Sequence, residues 1–369
     1  MKIVVLAGGY SPEREVSLSS GSLIANALIR NGHRVLLLDA YVGIPELPDP
    51  PDVLFRTDTE YSHAIGTEVP DLQTLKEKVG NGNALIGRHV LELCASADAV
   101  FLALHGAMGE NGMMQAVLES YGIPHTGSDY TGCLLAMDKD LAKRLFCNAG
   151  IPTPEWVLGK GDETETDRIL QKVGLPCVVK PLDGGSSVGI SMANTRKELI
   201  DALRNVAEYG GRMLAERKIE GRELTMGILE GMPLPPVEII PKEGFYDYRN
   251  KYQGSTREIC PAEIPPEIVR QMEGFVRDGF SALRLGGYAR FDFLLDREGH
   301  LWCLEANALP GMTPTSLLPQ EARAIGISYA ELCERILQAA IGSGKDNRFG
   351  KNYQIEGNSP DGIDKSFEK

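Results

Sequence analysis

The chain has 369 residues, 43% of them hydrophobic and 24% charged, which suffices for two or three units with their own cores and is too apolar for a disordered chain. A formal charge of -13 argues against a nucleic-acid or membrane-surface partner, so any anionic ligand must be met by a local cationic cluster. Seven scattered cysteines without a CxxC pair read as reduced core thiols, and the opening MKIVVLAGG is too short for a signal segment, so a cytoplasmic chain with no membrane span is expected.

Residues 1–128 alternate strand and helix: a strand over Ile3 to Leu6, a Gly8-Gly9 turn, a helix from about Glu15 to Arg30 stopped by Gly32, then a strand from Arg34 to Asp39. This is a Rossmann-like start, but GGYSPE lacks the GxGxxG fingerprint, so no dinucleotide site is read there. Residues 43–97 read as an insertion of loops and one helix, with no chemistry assigned. A strand from Val100 to Leu104 ends at His105, a helix begins near Met113, and the Met113-Met114 pair is taken as core.

A second unit, about 129–216, opens with the helix MDKDLAKRLFCNAG and continues through strand Cys177 to Lys180, a glycine-rich loop, and strand Gly189 to Met192. The loop, KPLDGGSSVG, has the composition of a phosphate cradle, since glycines admit close N–H approach and Ser186 and Ser187 offer hydroxyls. No GxxxxGK[ST] occurs, and strands flank the loop on both sides, so a lid over ATP fits better than a P-loop; a flexible hairpin is the alternative. Lys139 and Lys180 are natural partners for the α- and β-phosphates, and Glu216 and Glu223 for an adenine amino group and ribose hydroxyls.

The third unit, about 217–342, holds ARFDFLLDREGHLWCLEANALPGMTP. A four-residue turn at Asp296-Arg297-Glu298-Gly299 predicts Phe293 opposite Trp302 and Phe291 opposite Leu304, leaving Arg290, Asp292, Glu305 and Asn307 on the other face with Cys303. Two carboxylates and an amide on neighbouring strands suit Mg²⁺, whose octahedron nucleotide phosphates complete; a solvated acidic edge is the alternative. Residues 343–369 are polar and read as a frayed tail.

Together GGYSPEREVSL, HGAMGENG, KPLDGGSSVG, KYQGSTREICPA and RFDFLLDREGHLWCLEANALPGMTPTSLLP resemble, in order and over nearly the whole chain, the D-alanine–D-alanine ligase family of the ATP-grasp fold. The resemblance implies an α/β and α+β chain, a Rossmann-like N-terminal domain followed by a two-subdomain ATP-grasp fold. It also implies ATP-driven joining of two D-alanines through an acyl phosphate, for peptidoglycan precursor synthesis, by a homodimer. Asp292, Glu305 and Asn307 would hold two Mg²⁺ ions, with Mn²⁺ able to replace them and Glu305 bridging. Lys139, Lys180 and Lys251 would clamp phosphates, with Gly185, Ser186, Ser187, Glu216, Ile219 and Glu223 completing the ATP site. Arg290 and the Gly311 N–H would stabilise the tetrahedral oxyanion. Glu13 would pair with the first D-alanine's ammonium, supported by Ser186 and Tyr252, and His105 would touch substrate. Ser316 and the Leu317 N–H would take the second substrate's carboxylate at a helix N-terminus. Tyr252 points to D-alanine as acceptor, with D-serine or D-lactate ligation as rival readings and a nucleotide-binding regulator without turnover as a third.

Overall fold

The computed structural model describes residues 1–58, 60–65, 70–182, 189–240 and 256–343. The β-branched run KIVVLA forms β1 (Lys2–Ala7), and α1 (Arg14–Arg30) follows it, ending just before Gly32, whose φ of +89° only glycine adopts cheaply. β2 (Arg34–Asp39) and β3 (Ala99–Leu102) flank β1 in parallel, in the order β2-β1-β3, as the Rossmann-like reading requires. Residues 43–97 hold a 3₁₀ turn at Pro51–Leu54, α2 (Leu72–Val79) and α3 (Val90–Ala95), one α-helix more than expected. The extra helix spans six residues, too few for a helical period to register in sequence.

β3 stops at Leu102 rather than Leu104, and α4 (Ala107–Glu110) and α5 (Met113–Ser120) follow. Met114 is fully buried, but Met113 is half exposed, because successive helical side chains diverge by about a quarter turn. The expectation that both are core is corrected. α6 (Tyr130–Met137) leads to α7 (Lys139–Asn148), capped by Asp138, whose carboxylate accepts from the N–H groups of Asp140 and Leu141.

β4 (Trp156–Lys160), α8 (Thr166–Lys172), β5 (Cys177–Pro181), β6 (Ser191–Ala193), α9 (Arg196–Ala207) and β7 (Arg212–Arg217) build an antiparallel sheet of order β4-β7-β5-β6. A six-stranded antiparallel sheet follows from β8 (Gly221–Leu229), β9 (Met232–Pro233), β10 (Val237–Ile240), β11 (Arg257–Ile259), β12 (Tyr288–Asp296) and β13 (Leu301–Asn307), with α10 (Pro266–Ala282) on one face. α11 (Leu317–Ala324) and α12 (Tyr329–Ser343) turn back, so that Leu318, Ala322, Leu332 and Leu337 share the core of the N-terminal sheet. Asn31 and His33 on the loop after α1 tie to Glu334 of α12, His33 Nε2 lying 2.8 Å from its carboxylate. α12 therefore braces the loop after α1.

All seven cysteines are free, and five are buried, but Cys147 is exposed and Cys260 half-buried, so they are not all core thiols. Among the described residues no helix is long and apolar enough to cross a membrane.

Candidate active site

The β12–β13 hairpin departs from its predicted register. Leu294 faces Trp302 and Phe293 faces Cys303, one step from the expected pairing, because the turn closes over Asp296 to His300 with Leu295 opposite Leu301. A bulge then skips Leu304, so Asp292 faces Glu305, Phe291 faces Ala306 and Arg290 faces Asn307. The two one-residue shifts add to two, which restores the expected facing at the functional end. Phe291, Phe293, Leu301, Cys303 and Ala306 are buried, while Trp302 and Leu304, expected in the core, lie on the open face. Cys303, expected outside, is buried, and burial pushes its thiol well above the usual range.

On that open face Arg290 donates from Nε and Nη2 to both Asp292 oxygens, at 2.8 and 2.9 Å. The Thr225 hydroxyl (2.7 Å) and the Asn307 amide (3.1 Å) complete the shell of Asp292. Among the described residues no three His, Cys, Asp or Glu side chains converge on a metal point. Two facing carboxylates with an amide beside them fit Mg²⁺, which draws its remaining ligands from phosphate and water. Glu305 borders two spaces, the main cleft and a small cavity of about 30 Å³ that it shares with Glu110, Lys139 and Asn307.

The cleft, about 730 Å³, lies between the four-stranded and six-stranded sheets. It brings together Lys180, Glu216, Ile219, Glu223, Arg290, Asp292, Glu305 and Leu317, all picked out from sequence, with apolar Val178, Met192 and Leu294 giving it flat sides. Lys139, at the start of α7, lines the small cavity together with Glu305 rather than this cleft. Gly185, Ser186, Ser187, Lys251 and Tyr252 lie outside the described residues.

Glu216 is buried and carries a lysine on each oxygen, Lys180 Nζ at 2.6 Å and Lys143 Nζ at 2.9 Å. Burial alone would raise its pKa, but the charges of Lys180 and Lys143 override that and hold the carboxyl at about 2. Lys143 is fully buried, donates to the Thr153 hydroxyl, and lies 5.3 Å from the Trp156 ring centre. Burial lowers its own pKa, partly offset by Glu216. The sequence reading missed Lys143. It sits one turn after Lys139 on the face of α7 that also buries Phe146, so the period was there to find.

The substrate end is built from loops. Gly8, at φ +72°, crosses directly over Asp39: a Cβ there would sit 2.5 Å from the carboxylate. Ser17 takes the Gly8 N–H at 2.8 Å and donates to the Ala103 carbonyl, pinning the turn to the sheet end. Glu13 precedes α1, and a Cβ on Gly106 would lie 3.3 Å from its Oε2, so Glu13 sits against the HGAMGENG loop. His105 is half-buried, but its Nε2 is sealed from solvent and has no hydrogen-bond partner among the described residues. Burial lowers its pKa, with the Glu13 charge opposing and Arg290 assisting. Glu110, which sequence reasoning overlooked inside that motif, accepts the Gly106 N–H at 2.7 Å; burial and then the Glu13 charge push it up to about 8.

Gly311 and Ser316 meet, since a Cβ on Gly311 would fall 3.0 Å from Ser316 Oγ. Ser316 precedes α11 without capping it, and its hydroxyl instead accepts the Thr313 N–H at 3.1 Å. On the buried face of this helix Glu321, fully buried and also missed, accepts the Gly227 N–H at 2.7 Å; burial raises its pKa well above the ordinary value.

A Rossmann-like unit joined to two antiparallel sheets that face each other across a cleft, with Lys180 and Glu216 on one wall and Arg290, Asp292 and Glu305 on the other, defines the ATP-grasp class. Family models described as the D-ala D-ala ligase N-terminus and C-terminus match residues 2–128 and 145–338. A D-alanine–D-alanine ligase of Pediococcus pentosaceus is 40% identical over 91% of this chain and 97% of its own length, and one of Magnetococcus marinus 39% over 92% and 97%. A Bacillus anthracis D-alanine–D-alanine ligase complexed with ATP superposes with a TM-score of 0.71 at 28% identity, covering 94% of this chain and 99% of that one. The D-Ala:D-Ser ligase of Enterococcus faecalis gives the same TM-score at 26% identity, covering 92% of this chain and 99% of that one. The chain belongs to the D-alanine–D-alanine ligase family.

Proposed function

We propose that the protein joins two D-alanines in an ATP-dependent reaction that passes through a D-alanyl phosphate and supplies peptidoglycan precursor in the cytoplasm, working as a homodimer. Two observations support this reading: a nucleotide-sized cleft lined by Arg290, Asp292 and Glu305, and a loop cluster in which the charges of Glu13 and Arg290 both act on His105. A carboxylate does not react with an amine near neutral pH, so phosphorylation must first supply a leaving group. Lys180 and Lys139 neutralise phosphate charge on either side of Glu305, and Glu223 and the Ile219 backbone hold the nucleoside. Asp292, Glu305 and Asn307 would hold Mg²⁺, which supplies charge neutralisation across the transferring phosphoryl group.

Glu13 orients the first D-alanine by its ammonium. The N-terminus of α11, with Ser316 and the Leu317 N–H, takes the carboxylate of the second. Arg290 and the Gly311 N–H stabilise the oxyanion formed as the second amine attacks.

Phosphate release from ATP and Mg²⁺ with D-alanine, compared with L-alanine, D-serine and D-lactate, tests the proposal. D-alanine alone should drive release, and no D-alanine dependence refutes it. Because the D-Ala:D-Ser ligase superposes equally well, faster turnover with D-alanine plus D-serine would reassign the acceptor.

A further inference from the structure

The stretch 43–97 has no part in the chemistry above, yet a short piece of it touches the loop that carries Glu13. Tyr61 is pinned to α1 by a reciprocal pair of bonds: the Asn26 amide donates to its carbonyl, and its N–H donates back to Asn26 Oδ1, both at 2.8 Å. Its hydroxyl donates to the Val35 carbonyl at 3.2 Å, fixing the segment to β2 as well. Two residues on, His63 Nε2 lies 2.6 Å from Glu15 Oε2.

The other oxygen of Glu15 accepts Arg14 Nε at 3.3 Å. Arg14 then donates to the Gly9 carbonyl at 3.0 Å and to Asp39 at 2.9 Å. Asp39 accepts the N–H groups of Gly9, Tyr41 and Val42, which closes the ring on the turn after β1. An unbroken chain of polar contacts thus runs from His63 through the side chains of Glu15 and Arg14, just after Glu13, to the Gly9 backbone before it. Glu15 and Arg14 lie on the first turn of α1, where no side chain caps the helix, so the loop's orientation rests on this network and on Ser11 and Ser17.

We infer that residues 60–63 form a strap that positions the Glu13 loop, and that His63 is a specificity-determining positioning residue for the first D-alanine. This rests on the reading of Glu13 as the partner of that substrate's ammonium. The strap touches the substrate only through Glu13. Loosening it should raise the KM of the first D-alanine and leave the KM of ATP and kcat unchanged. One partly exposed charge-assisted contact corresponds to a rise of about three- to ten-fold.

The test compares His63→Ala, Glu15→Gln, their double variant, His63→Gln and Glu13→Gln in the full chain, by steady-state kinetics and by amide hydrogen exchange of residues 8–17. His63 is partly exposed, so His63→Ala should fold. Expected are faster exchange at residues 8–17 and the selective KM rise in His63→Ala. The double variant should be no worse than either single one, and His63→Gln, which keeps a donor, should restore most of the loss. Unchanged exchange at residues 8–17, or a KM for ATP that rises in step, overturns the strap. If Glu13→Gln leaves the D-alanine KM unchanged while His63→Ala still speeds exchange, the strap stands and the Glu13 assignment falls.

Discussion

Replacing Lys143 by Met, close to it in length, would leave the buried Glu216 with one cation, Lys180. Holding the carboxyl at about 2 rather than 4.5 corresponds to about 3 kcal/mol of stability near neutral pH. Two lysines share that contribution, and Lys143 gives back part of it because its own ammonium is disfavoured by burial. The expected loss is about 1–2 kcal/mol, below the roughly 3–5 kcal/mol typical of a buried charge left with no partner, because Lys180 stays at 2.6 Å. The sign with pH follows from the depressed pKa. Glu216 contributes fully above about pH 4.5 and loses that contribution as pH falls toward about 2, so the deficit of Lys143→Met should shrink between about pH 6 and pH 3. Urea unfolding across that range reads the stability. The KM for ATP should rise as well, since Lys180 and Glu216 line the cleft. Wild-type stability in the variant, or a deficit that stays constant down to about pH 3, refutes the argument.

Glu305→Gln should abolish D-alanine-dependent phosphate release while moving the melting temperature by only a few degrees, because the residue faces open space rather than the core. Glu321→Ala orphans the Gly227 N–H and should cost about 1–3 kcal/mol in chemical denaturation. Glu321→Gln keeps that acceptor. Since the folded pKa of Glu321 is raised, the wild type loses stability as pH climbs above about 4.5, whereas the Gln variant should not show this loss. Gly8→Ala drives a methyl into the Asp39 carboxylate at a backbone angle that L residues avoid, and D-alanine turnover should fall more than global stability.

Much of the fold was legible because its signals are local. β1, α1 and β2 follow from an apolar run, a helical period and a glycine stop, and their observed ends lie within a residue or so of those expected. The metal-facing hairpin was legible in outcome and wrong in detail. A bulge has no signature in alternation, so Trp302 and Leu304 were placed in the core and Cys303 outside it. Lys143 and Glu321 were missed for a different reason: each is a buried ionisable group whose partner lies far away in sequence. Glu216 lies 73 positions beyond Lys143, and Gly227 lies 94 before Glu321. The strap through His63 is likewise invisible to pattern, because its meaning appears only once Tyr61 is seated on α1.

The account turns on whether one face of the β12–β13 hairpin holds divalent ions against the nucleotide. Anomalous diffraction from crystals grown with Mn²⁺ and a non-hydrolysable ATP analogue measures this directly. The prediction is anomalous density within coordination distance of Asp292, Glu305 and Asn307, about 2.2 Å from their oxygens, with Arg290 released from Asp292 or sharing it with the ion. Mn²⁺ bound elsewhere, with these three side chains uncoordinated while the analogue fills the cleft, would contradict it.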